Sequence, residues 1–422
     1  MTHFSRLLDT CDAIGHLAKE LGLGLLEAED DRLDGRTVRV QGRSMRNFCS
    51  CSYLGLELDP RLIEGAIDAT RRFGTQFAVS RAFLSAPQYS ELEALLAEIT
   101  GGPTLVLPST TLANAAALPA LVDECDAVVL DQQVHMSVQS VMPTLERIGI
   151  HVERVRHDRL DELEARIGTL QAEYRRVWFL TDGVFSMHGD LAPLEGLRWL
   201  LERYPSLHLY IDDAHGMSWT GHRGRGQALE VLKNRDRVIV ALSLNKAFGA
   251  GGAALVFPDE AMLSRVRHTS APTNFTGPLQ PPMLGAAVAS ARLHTTPELG
   301  RMQHDLLLRI EYANHRASDL GIPLLHRETP VPIRFIGLGP QSSSIAMAGH
   351  LRDCGLLASC ALFPAVPPRE SGIRFTVTRH HELEDIDALL ETVADFLPEA
   401  LAVGGVDRAE VDRVFGLKPA PI

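Results

Sequence analysis

The sequence predicts an α/β protein in which a large domain with a mostly parallel sheet, covered by helices, precedes a smaller C-terminal α+β domain. Between about residues 60 and 290, short and nearly uninterrupted apolar runs alternate with helical segments, which is typical of strands buried on both faces of a sheet. From about residue 295, a long helix leads into short strands and a closing helix. The expected division is an N-terminal helix and arm over 1–59, the large domain over 60–294 and the small domain over 295–422.

The predicted elements follow in chain order, each strand being a short apolar run bounded by turn residues. A helix is expected from Ser5 to about Leu25, a polar hairpin-like stretch at 36–42, and helices at Arg61–Phe73 and Tyr89–Thr100. Strands of the large domain are expected at Thr104–Leu107, Ala127–Leu130, Val152–Val155, Val177–Thr181, Leu207–Ile211, Val238–Leu242 and Ala253–Phe257. In the small domain, strands are expected at Pro332–Ile336, Ser344–Met347 and Ile373–Val377, a helix at Leu383–Leu397, and a terminal helix or loose end at 404–422.

The composition excludes several classes of protein. The 41 basic and 53 acidic residues give a net charge of −12, and Lys and Arg form no long run, so a nucleic-acid surface is not expected. No apolar run approaches the roughly 18 residues of a membrane-spanning helix, and the N-terminus lacks the layout of a signal peptide. The 6 cysteines are too scattered for a disulfide framework. We therefore expect a soluble cytoplasmic enzyme.

The first candidate site follows the first strand of the large domain, where Ser109, Thr110 and Thr111 open a helix. Three hydroxyls and the backbone N–H groups of a helix N-terminus form an anion site that suits phosphate. Ordinary helix capping by Ser and Thr side chains is the alternative. Both interpretations stay open on this segment alone.

Imidazole and carboxylate groups follow two further strands. His135 comes shortly after the second strand, although a single histidine is more often a structural hydrogen-bonding group than a catalytic one. Asp212 and Asp213 follow the fifth strand, with His215 just beyond them. A carboxylate at the end of a buried strand must be paired, either with a protonated nitrogen or with a metal ion. The metal interpretation is the weaker one, because no His/Asp cluster at ligand spacing supports it.

Lysine is scarce in this chain, and one lysine lies at a strand end. Of the 41 basic residues, only those at positions 19, 233, 246 and 418 are lysines, and none follows a glycine, which excludes a P-loop. Lys246 follows the strand predicted at Val238–Leu242, three residues after Ser243 and just before a glycine cluster. Its apolar neighbours favour a Schiff-base lysine over a solvated surface residue.

A phosphate seat, an imidazole, a strand-end carboxylate and a lysine together are the set that a pyridoxal 5′-phosphate (PLP) enzyme requires. In such an enzyme the lysine binds the cofactor aldehyde, the aspartate its pyridine nitrogen and a helix N-terminus its phosphate. The combination is far more specific than any of its members. The sequence therefore predicts PLP as the cofactor and no metal ion.

At these positions the chain resembles the α-oxoamine synthase family of PLP-dependent enzymes of fold type I. The resemblance runs from about Asn47 to Leu397, and its motifs are specific in combination. They are Asn47-Phe48, Ser52-Tyr53-Leu54-Gly55-Leu56, His135-x-Ser137, Asp182 to Pro193, Asp212-Asp213-Ala214-His215, Gly224-Arg225-Gly226, Ser243 to Gly249, and Ile373 to Thr378.

For the cofactor, the resemblance implies a role for each matched residue. Lys246 would bind PLP and later move the Cα proton, Asp212 would keep the pyridine nitrogen protonated, and His215 would bond the phenolic oxygen. His135 would stack over the ring and act as an acid or a base on the substrate. The other implied cofactor contacts are Ser109, Thr110, Thr111 and Ser243 at the phosphate, Ser186 on the oxygen side, and Thr276, which would reach the partner's phosphate.

For the substrates, the resemblance implies an amino acid and an acyl thioester of CoA or a carrier protein. Arg374 would bind the amino-acid carboxylate in the bidentate geometry that suits arginine, with Cys51 and Ser52 on the substrate side. The family also implies a homodimer whose sites lie at the subunit interface.

Several positions depart from the family pattern on the acyl-donor side. Cys51 replaces an asparagine that helps to position the substrate, and Gln76, Phe77 and Val79 replace glycines that let the thioester pass close to the backbone. PLP binding is compatible with all these changes. The bulkier wall predicts a smaller acyl group, a carrier-protein donor or a reaction without a thioester.

The leading hypothesis is a PLP-dependent acyltransferase that condenses an amino acid with an acyl thioester, with loss of CO₂, to an α-amino ketone in specialised biosynthesis. Two alternatives stay open: another PLP reaction on an amino acid, such as transamination, and a non-catalytic partner subunit with the same fold. Metal-dependent hydrolysis at Asp212 and His215 ranks last.

Overall fold

The computed structural model describes residues 3–417 and divides into two compact units. The large unit contains Leu54–Phe185 and Leu191–Gln303, and the small unit contains the chain up to Tyr53, Ser186–Asp190 and the chain from His304 onward. The N-terminal segment thus groups with the C-terminal region. The division into domains at 1–59, 60–294 and 295–422 stays a prediction.

The strands and helices lie as follows. The strands are β1 (Thr37–Val40), β2 (Arg43–Asn47), β3 (Thr104–Leu107), β4 (Asp126–Asp131), β5 (His151–Val155), β6 (Arg176–Asp182), β7 (Leu207–Asp212), β8 (Val238–Ser243), β9 (Ala253–Val256), β10 (Ile333–Gly339), β11 (Leu356–Leu357), β12 (Ser359–Ala361) and β13 (Ser371–Thr376). The α-helices are α1 (His3–Glu20), α2 (Pro60–Phe73), α3 (Pro87–Thr100), α4 (Thr110–Leu121), α5 (Met136–Gln139), α6 (Met142–Arg147), α7 (Leu160–Leu170), α8 (Leu194–Arg203), α9 (Gln227–Val231), α10 (Glu260–Thr269), α11 (Ala271–Asn274), α12 (Pro281–His294), α13 (Pro297–Asp319), α14 (Gln341–Asp353), α15 (Leu383–Gly404) and α16 (Arg408–Val414).

Seven strands of the described chain form the sheet of the large unit, in the order β3-β9-β8-β7-β6-β4-β5. β9 is antiparallel to both neighbours, whereas the other neighbouring pairs are parallel. The inner strands are buried along nearly their whole length, which explains their continuous apolar runs. The predicted fold class and the predicted strands of this sheet are confirmed.

The small unit contains two three-stranded sheets in its described part, with the orders β1-β2-β11 and β10-β13-β12. The strand predicted at Ser344–Met347 is wrong, because these residues lie inside α14. Ser343, Ser344, Met347, Ala348 and Leu351 are its buried residues, and this spacing is helical. A four-residue window was too short to distinguish the two periods.

The first helix is shorter than predicted. It ends at Glu20 rather than near Leu25, and Gly22 follows with a φ of +64°, a conformation that ends helices and suits glycine. Among residues 3–417, every helix is either too short or too polar to cross a lipid bilayer.

Two glycines set the distance between α2 and α12 in the large unit. A Cβ at Gly285 would lie 2.1 Å from the carbonyl oxygen of Gly65, and a Cβ at Gly65 would lie 2.7 Å from that of Gly285. Both distances are too short for real contacts, so the two backbones touch only because side chains are missing there.

We therefore expect Gly285→Ala to lower the free energy of unfolding by about 1–3 kcal/mol, as overpacking does. The matched control is Gly168→Ala, at an exposed position of α7 where an added Cβ meets nothing within 4 Å. It should be neutral or stabilising by up to about 1 kcal/mol. Denaturant unfolding of both variants measures this, and equal effects would contradict the close helix contact.

Candidate functional site

The carboxyl ends of the parallel strands place polar residues along one edge of the large unit's sheet. β4, β6 and β7 end at Asp131, Asp182 and Asp212, and β8 ends at Ser243. Asp182 is the register partner of Asp212. Open α/β sheets collect ligands at this edge.

Asp212 is 4% exposed and has hydrogen-bond donors on both carboxylate oxygens. Its Oδ2 accepts a hydrogen bond from Asn114 Nδ2 at 2.9 Å, and its Oδ1 accepts one from the backbone N–H of Ala214 at 3.2 Å. Asn114 is fully buried, and its Oδ1 accepts a hydrogen bond from the Tyr210 hydroxyl at 2.6 Å. These donors compensate the burial of the carboxylate.

Sequence reasoning missed Asn114. The residue lies in α4 with alanines on both sides. After its first turn α4 is apolar except for Asn114, and a single amide in such a buried helix was the signal that could have marked the position.

His135 begins the short helix α5, and its ring is fixed from one side. Its Nδ1 accepts a hydrogen bond from the backbone N–H of Ser137 at 3.2 Å and lies 2.7 Å from the Ser137 hydroxyl. Asn114 Nδ2 also donates to that hydroxyl, at 2.8 Å. The structure thus joins two predicted site residues, His135 and Asp212, through Ser137 and Asn114.

A second aspartate supports the His135 backbone. Asp182 Oδ1 accepts a hydrogen bond from the N–H of His135 at 2.9 Å. Burial, reinforced by the neighbouring charge of Asp212, raises the pKa of Asp182 well above its usual range, and the charge of Lys246 acts in the opposite direction. The Lys246 ammonium is therefore within electrostatic reach of this edge.

Lys246 is half-buried in the turn that follows β8. Its carbonyl accepts a hydrogen bond from the N–H of Gly249 at 2.8 Å. The Ser243 hydroxyl accepts one from the N–H of Asn245 at 3.2 Å, and Asn245 Oδ1 accepts one from the N–H of Gly252 at 2.7 Å. These bonds fix the backbone that carries the lysine.

The remaining predicted residues of the large unit lie close to strand or helix ends. Ser109 is the N-cap of α4, and its hydroxyl accepts a hydrogen bond from the N–H of Leu112 at 3.3 Å, so the capping interpretation holds. Thr110 and Thr111 form the first turn, where backbone N–H groups have no partner within the helix. His215 is buried in the turn after β7, and its carbonyl accepts a hydrogen bond from Trp219 Nε1.

Thr276 lines a cavity of about 250 Å³ in the large unit. The lining includes Pro108, which directly precedes the α4 cap, together with Arg81 and Arg267. Thr276 therefore lies on a cavity that begins beside the predicted phosphate seat.

The small unit brings three other predicted residues together. Arg374 is 8% exposed, and its Nε donates a hydrogen bond to the Ser186 carbonyl at 2.7 Å. Its Nη2 lies 3.7 Å from Cys51 Sγ, a weak acceptor. Ser52 instead has its hydroxyl 2.8 Å from that of Ser50.

The donor set of the large unit fits PLP. It offers a buried carboxylate for a protonated ring nitrogen, a half-buried lysine for an aldehyde and a capped helix N-terminus for a phosphate.

Comparisons with known proteins agree with this fit. The family model described as aminotransferase class I and II matches residues 43–393. The 8-amino-7-oxononanoate synthase of Maricaulis maris is 35% identical over 376 residues, which cover 88% of this chain and 91% of the relative. The enzyme of the same name from Herminiimonas arsenicoxydans is 33% identical over 367 residues, covering 84% and 91%.

Among solved structures, serine palmitoyltransferase from S. paucimobilis with bound PLP–myriocin aldimine superposes with a TM-score of 0.85. The superposition covers 96% of this chain and 100% of that chain at 23% identity. At this identity the likeness shows the fold, and it confirms the prediction of fold type I.

Asp213, next to Asp212, is in a different environment. It is fully buried, its Oδ2 accepts a hydrogen bond from the N–H of Ala228 at 2.9 Å, and its Oδ1 has no hydrogen-bond partner in the described chain. A Cβ at Gly183 or Gly216 would lie 2.4 or 2.1 Å from this Oδ1. Burial raises the pKa of Asp213 to about 7.

We expect Asp213→Asn to gain stability relative to the wild type as the pH rises. The raised pKa means that Asp213 ionises first in the unfolded chain, near its ordinary pKa of 3.8, so the wild type loses stability between about pH 4 and 7. The amide cannot ionise and escapes this loss. Between about pH 4 and 8, the melting temperature of Asp213→Asn should therefore rise relative to that of the wild type.

The control for this series is Asp161→Asn. Asp161 is exposed, and its hydrogen bond with Arg159 lowers its pKa to about 2, so it stays ionised over the same pH range. Its effect on the melting temperature should not change with pH. A pH-independent difference for Asp213→Asn would contradict the assigned environment.

Proposed function

The chain belongs to the aminotransferase class I and II family, and on that premise we propose that it condenses an amino acid with an acyl thioester to give an α-amino ketone. It is a PLP-dependent transferase, and its relatives confirm the resemblance to α-oxoamine synthases. The observation that carries the proposal is the hydrogen-bonded path from Asp212 through Asn114 and Ser137 to His135, on the sheet edge that also bears Lys246.

The residues of the large unit would hold PLP at defined atoms. The Asp212 carboxylate would bind the pyridine N–H, His215 the phenolic oxygen, and Lys246 the aldehyde carbon. When bound, PLP supplies an electron sink for the negative charge that forms at the substrate Cα. The phosphate would be bound by the N-terminus of α4 and hydroxyl groups, namely Ser109, Thr110, Thr111 and Ser243, with Thr276 from a partner copy.

Asp212 sets the direction of electron flow. A buried carboxylate beside a ring nitrogen strongly favours the protonated form of that nitrogen, because opposite charges interact strongly where water is excluded. The hydrogen bonds from Asn114 and Ala214 hold the carboxylate in place but leave lone pairs for the ring N–H.

Lys246 is the proton carrier of the proposed mechanism. Its Nζ would take the proton from the substrate Cα and return a proton to the condensation product. The turn built by Ser243 and Asn245 holds the lysine backbone, so Nζ moves by side-chain rotation alone.

Arg374 would bind the amino-acid carboxylate. Its Nε is engaged by the Ser186 carbonyl, which leaves the terminal pair Nη1 and Nη2 for a bidentate contact. Cys51 lies at this end of the guanidinium and accepts only weakly, so a carboxylate would displace it with little loss. Ser186 thereby acts as the group that orients the arginine.

We further propose that the protein acts as a cytoplasmic homodimer. Val79, Phe83, Leu84 and Phe275 are between 57% and 89% exposed, and the Ser80 hydroxyl ties their two segments together by a 2.6 Å hydrogen bond to the Asn274 carbonyl. A clustered apolar surface of this kind favours burial against a second subunit. The six cysteines, all in the described part and all free, suit a reducing compartment.

The acyl donor would be a thioester of CoA or a carrier protein, and the condensation would release CO₂. Gln76, Phe77 and Val79 stand where the family pattern has glycines, which supports a smaller acyl group or a carrier-protein donor. This departure from the family pattern supports a role in specialised biosynthesis.

We expect Lys246→Ala to abolish turnover while the protein still folds. With PLP added, the wild type should show the visible absorption band of lysine-bound PLP, and the variant only the absorption of the free aldehyde. The control is Lys233→Ala, an exposed lysine paired with Glu230, which should keep the wild-type band. A wild-type band in Lys246→Ala would contradict the role of this lysine.

Arg374→Ala should raise the KM for the amino acid by about 10²-fold, as loss of a charge-assisted bidentate pair of about 3 kcal/mol implies, with a smaller change in kcat. The control is Arg43→Ala, an exposed arginine of the small unit 3.4 Å from Asp353, whose loss should leave KM unchanged. Steady-state kinetics with varied amino acid measures both. An unchanged KM in Arg374→Ala would remove its assigned role.

A further inference from the structure

The donors around His135 determine which of its ring nitrogens carries the proton. The tautomer of an imidazole and the orientation of an amide follow from the donors and acceptors that surround them. The backbone N–H of Ser137 is a donor whatever the side chains do, and it points at His135 Nδ1 from 3.2 Å. A proton on Nδ1 would face this N–H directly.

The orientation of Asn114 is fixed at both ends of its side chain. The Asp212 carboxylate can only accept, so the group 2.9 Å from it must be the NH₂ of Asn114. Its Oδ1 then faces the Tyr210 hydroxyl at 2.6 Å, which donates. Burial raises the pKa of Tyr210 well above its usual range, so this hydroxyl keeps its proton.

The Ser137 hydroxyl connects the Asn114 amide to the His135 ring. One hydrogen of the Asn114 NH₂ goes to Asp212, and the other goes to Ser137 Oγ at 2.8 Å. Ser137 Oγ therefore accepts from Asn114, and its own hydrogen points to His135 Nδ1 at 2.7 Å. Nδ1 thus receives two donors, one from the backbone and one from the side chain of Ser137.

We propose that Asn114 and Ser137 are positioning residues that hold His135 as a neutral imidazole with its proton on Nε2, so that His135 meets the substrate as a hydrogen-bond donor and not as a base. His135 is exposed, and both of its hydrogen bonds to Ser137 are made at Nδ1, so a ligand would meet the ring at Nε2. A proton on Nδ1 would face two groups that are themselves donors, the backbone N–H and the hydroxyl of Ser137. The contact between His135 and a substrate rests on the proposed function, whereas the position of the proton on the ring does not.

The direct test is ¹⁵N NMR of the full-length protein labelled in its histidine rings, at about pH 8, where an ordinary histidine is neutral. The His135 signals are identified by their loss in His135→Gln. We expect the wild type to show Nε2 protonated and Nδ1 unprotonated, as a single tautomer. A proton on Nδ1, or a mixture of tautomers, would overturn the proposal.

The roles of Asn114 and Ser137 are tested by replacing each. Ser137→Ala and Asn114→Leu should both introduce a measurable population of the other tautomer, because the directed hydroxyl donor is lost. Ser140→Ala is the matched control, since the Ser140 hydroxyl donates to the Ser137 carbonyl and not to the ring. A single tautomer in Ser137→Ala would overturn this role, even if Asn114→Leu fails to fold.

The donor role is tested by two substitutions of His135 itself. The amide of His135→Gln can donate from about the position of Nε2 but cannot act as a base, whereas His135→Ala can do neither. We expect His135→Gln to keep kcat within about 10-fold of the wild type and His135→Ala to lose 10²-fold or more. Equal losses would overturn the donor role. If the protein catalyses no condensation at all, the NMR result still stands by itself.

Discussion

The buried carboxylate of Asp212 is the constraint on which the site depends. At 4% exposure, an ionised carboxylate needs donors, and the fold supplies them from Asn114 and the backbone of Ala214. Asn114 in turn needs an acceptor and a donor for its remaining atoms, and it finds them in Ser137 and Tyr210. One buried charge thus orders a network that ends at the ring of His135.

Adjacent aspartates have opposite properties because their surroundings differ. Asp212 has donors on both oxygens, whereas Asp213 has an oxygen without a hydrogen bond and a pKa raised to about 7. The glycines that pack against Asp213, such as Gly216, leave room for the carboxyl group but bring no donor to that oxygen. The carboxylate of Asp212 is therefore satisfied by donors, whereas the burial of Asp213 favours the neutral form of its carboxyl group.

Sequence patterns predicted the parallel sheet well, because strands buried on both faces must be apolar along their whole length. They also predicted Lys246 and Asp212, since a charged residue at the end of such a strand is conspicuous. Asn114 was missed because its partners come from β7 and α5, far away in the chain. The Arg374 contact with Ser186 was equally hidden, because a backbone carbonyl is an acceptor in every residue type.

In the proposed mechanism, Asp212 turns the bound cofactor into an electron sink. The most direct test of this role is the exchange of the Cα proton of amino acids in D₂O, followed by proton NMR, for PLP-loaded wild type and Asp212→Asn, with an amino-acid mixture as substrate. The wild type should exchange the Cα proton of at least one amino acid. Asp212→Asn should still show the absorption band of lysine-bound PLP but lose the exchange by at least about 10²-fold. Exchange at the wild-type rate in Asp212→Asn would contradict this role of Asp212.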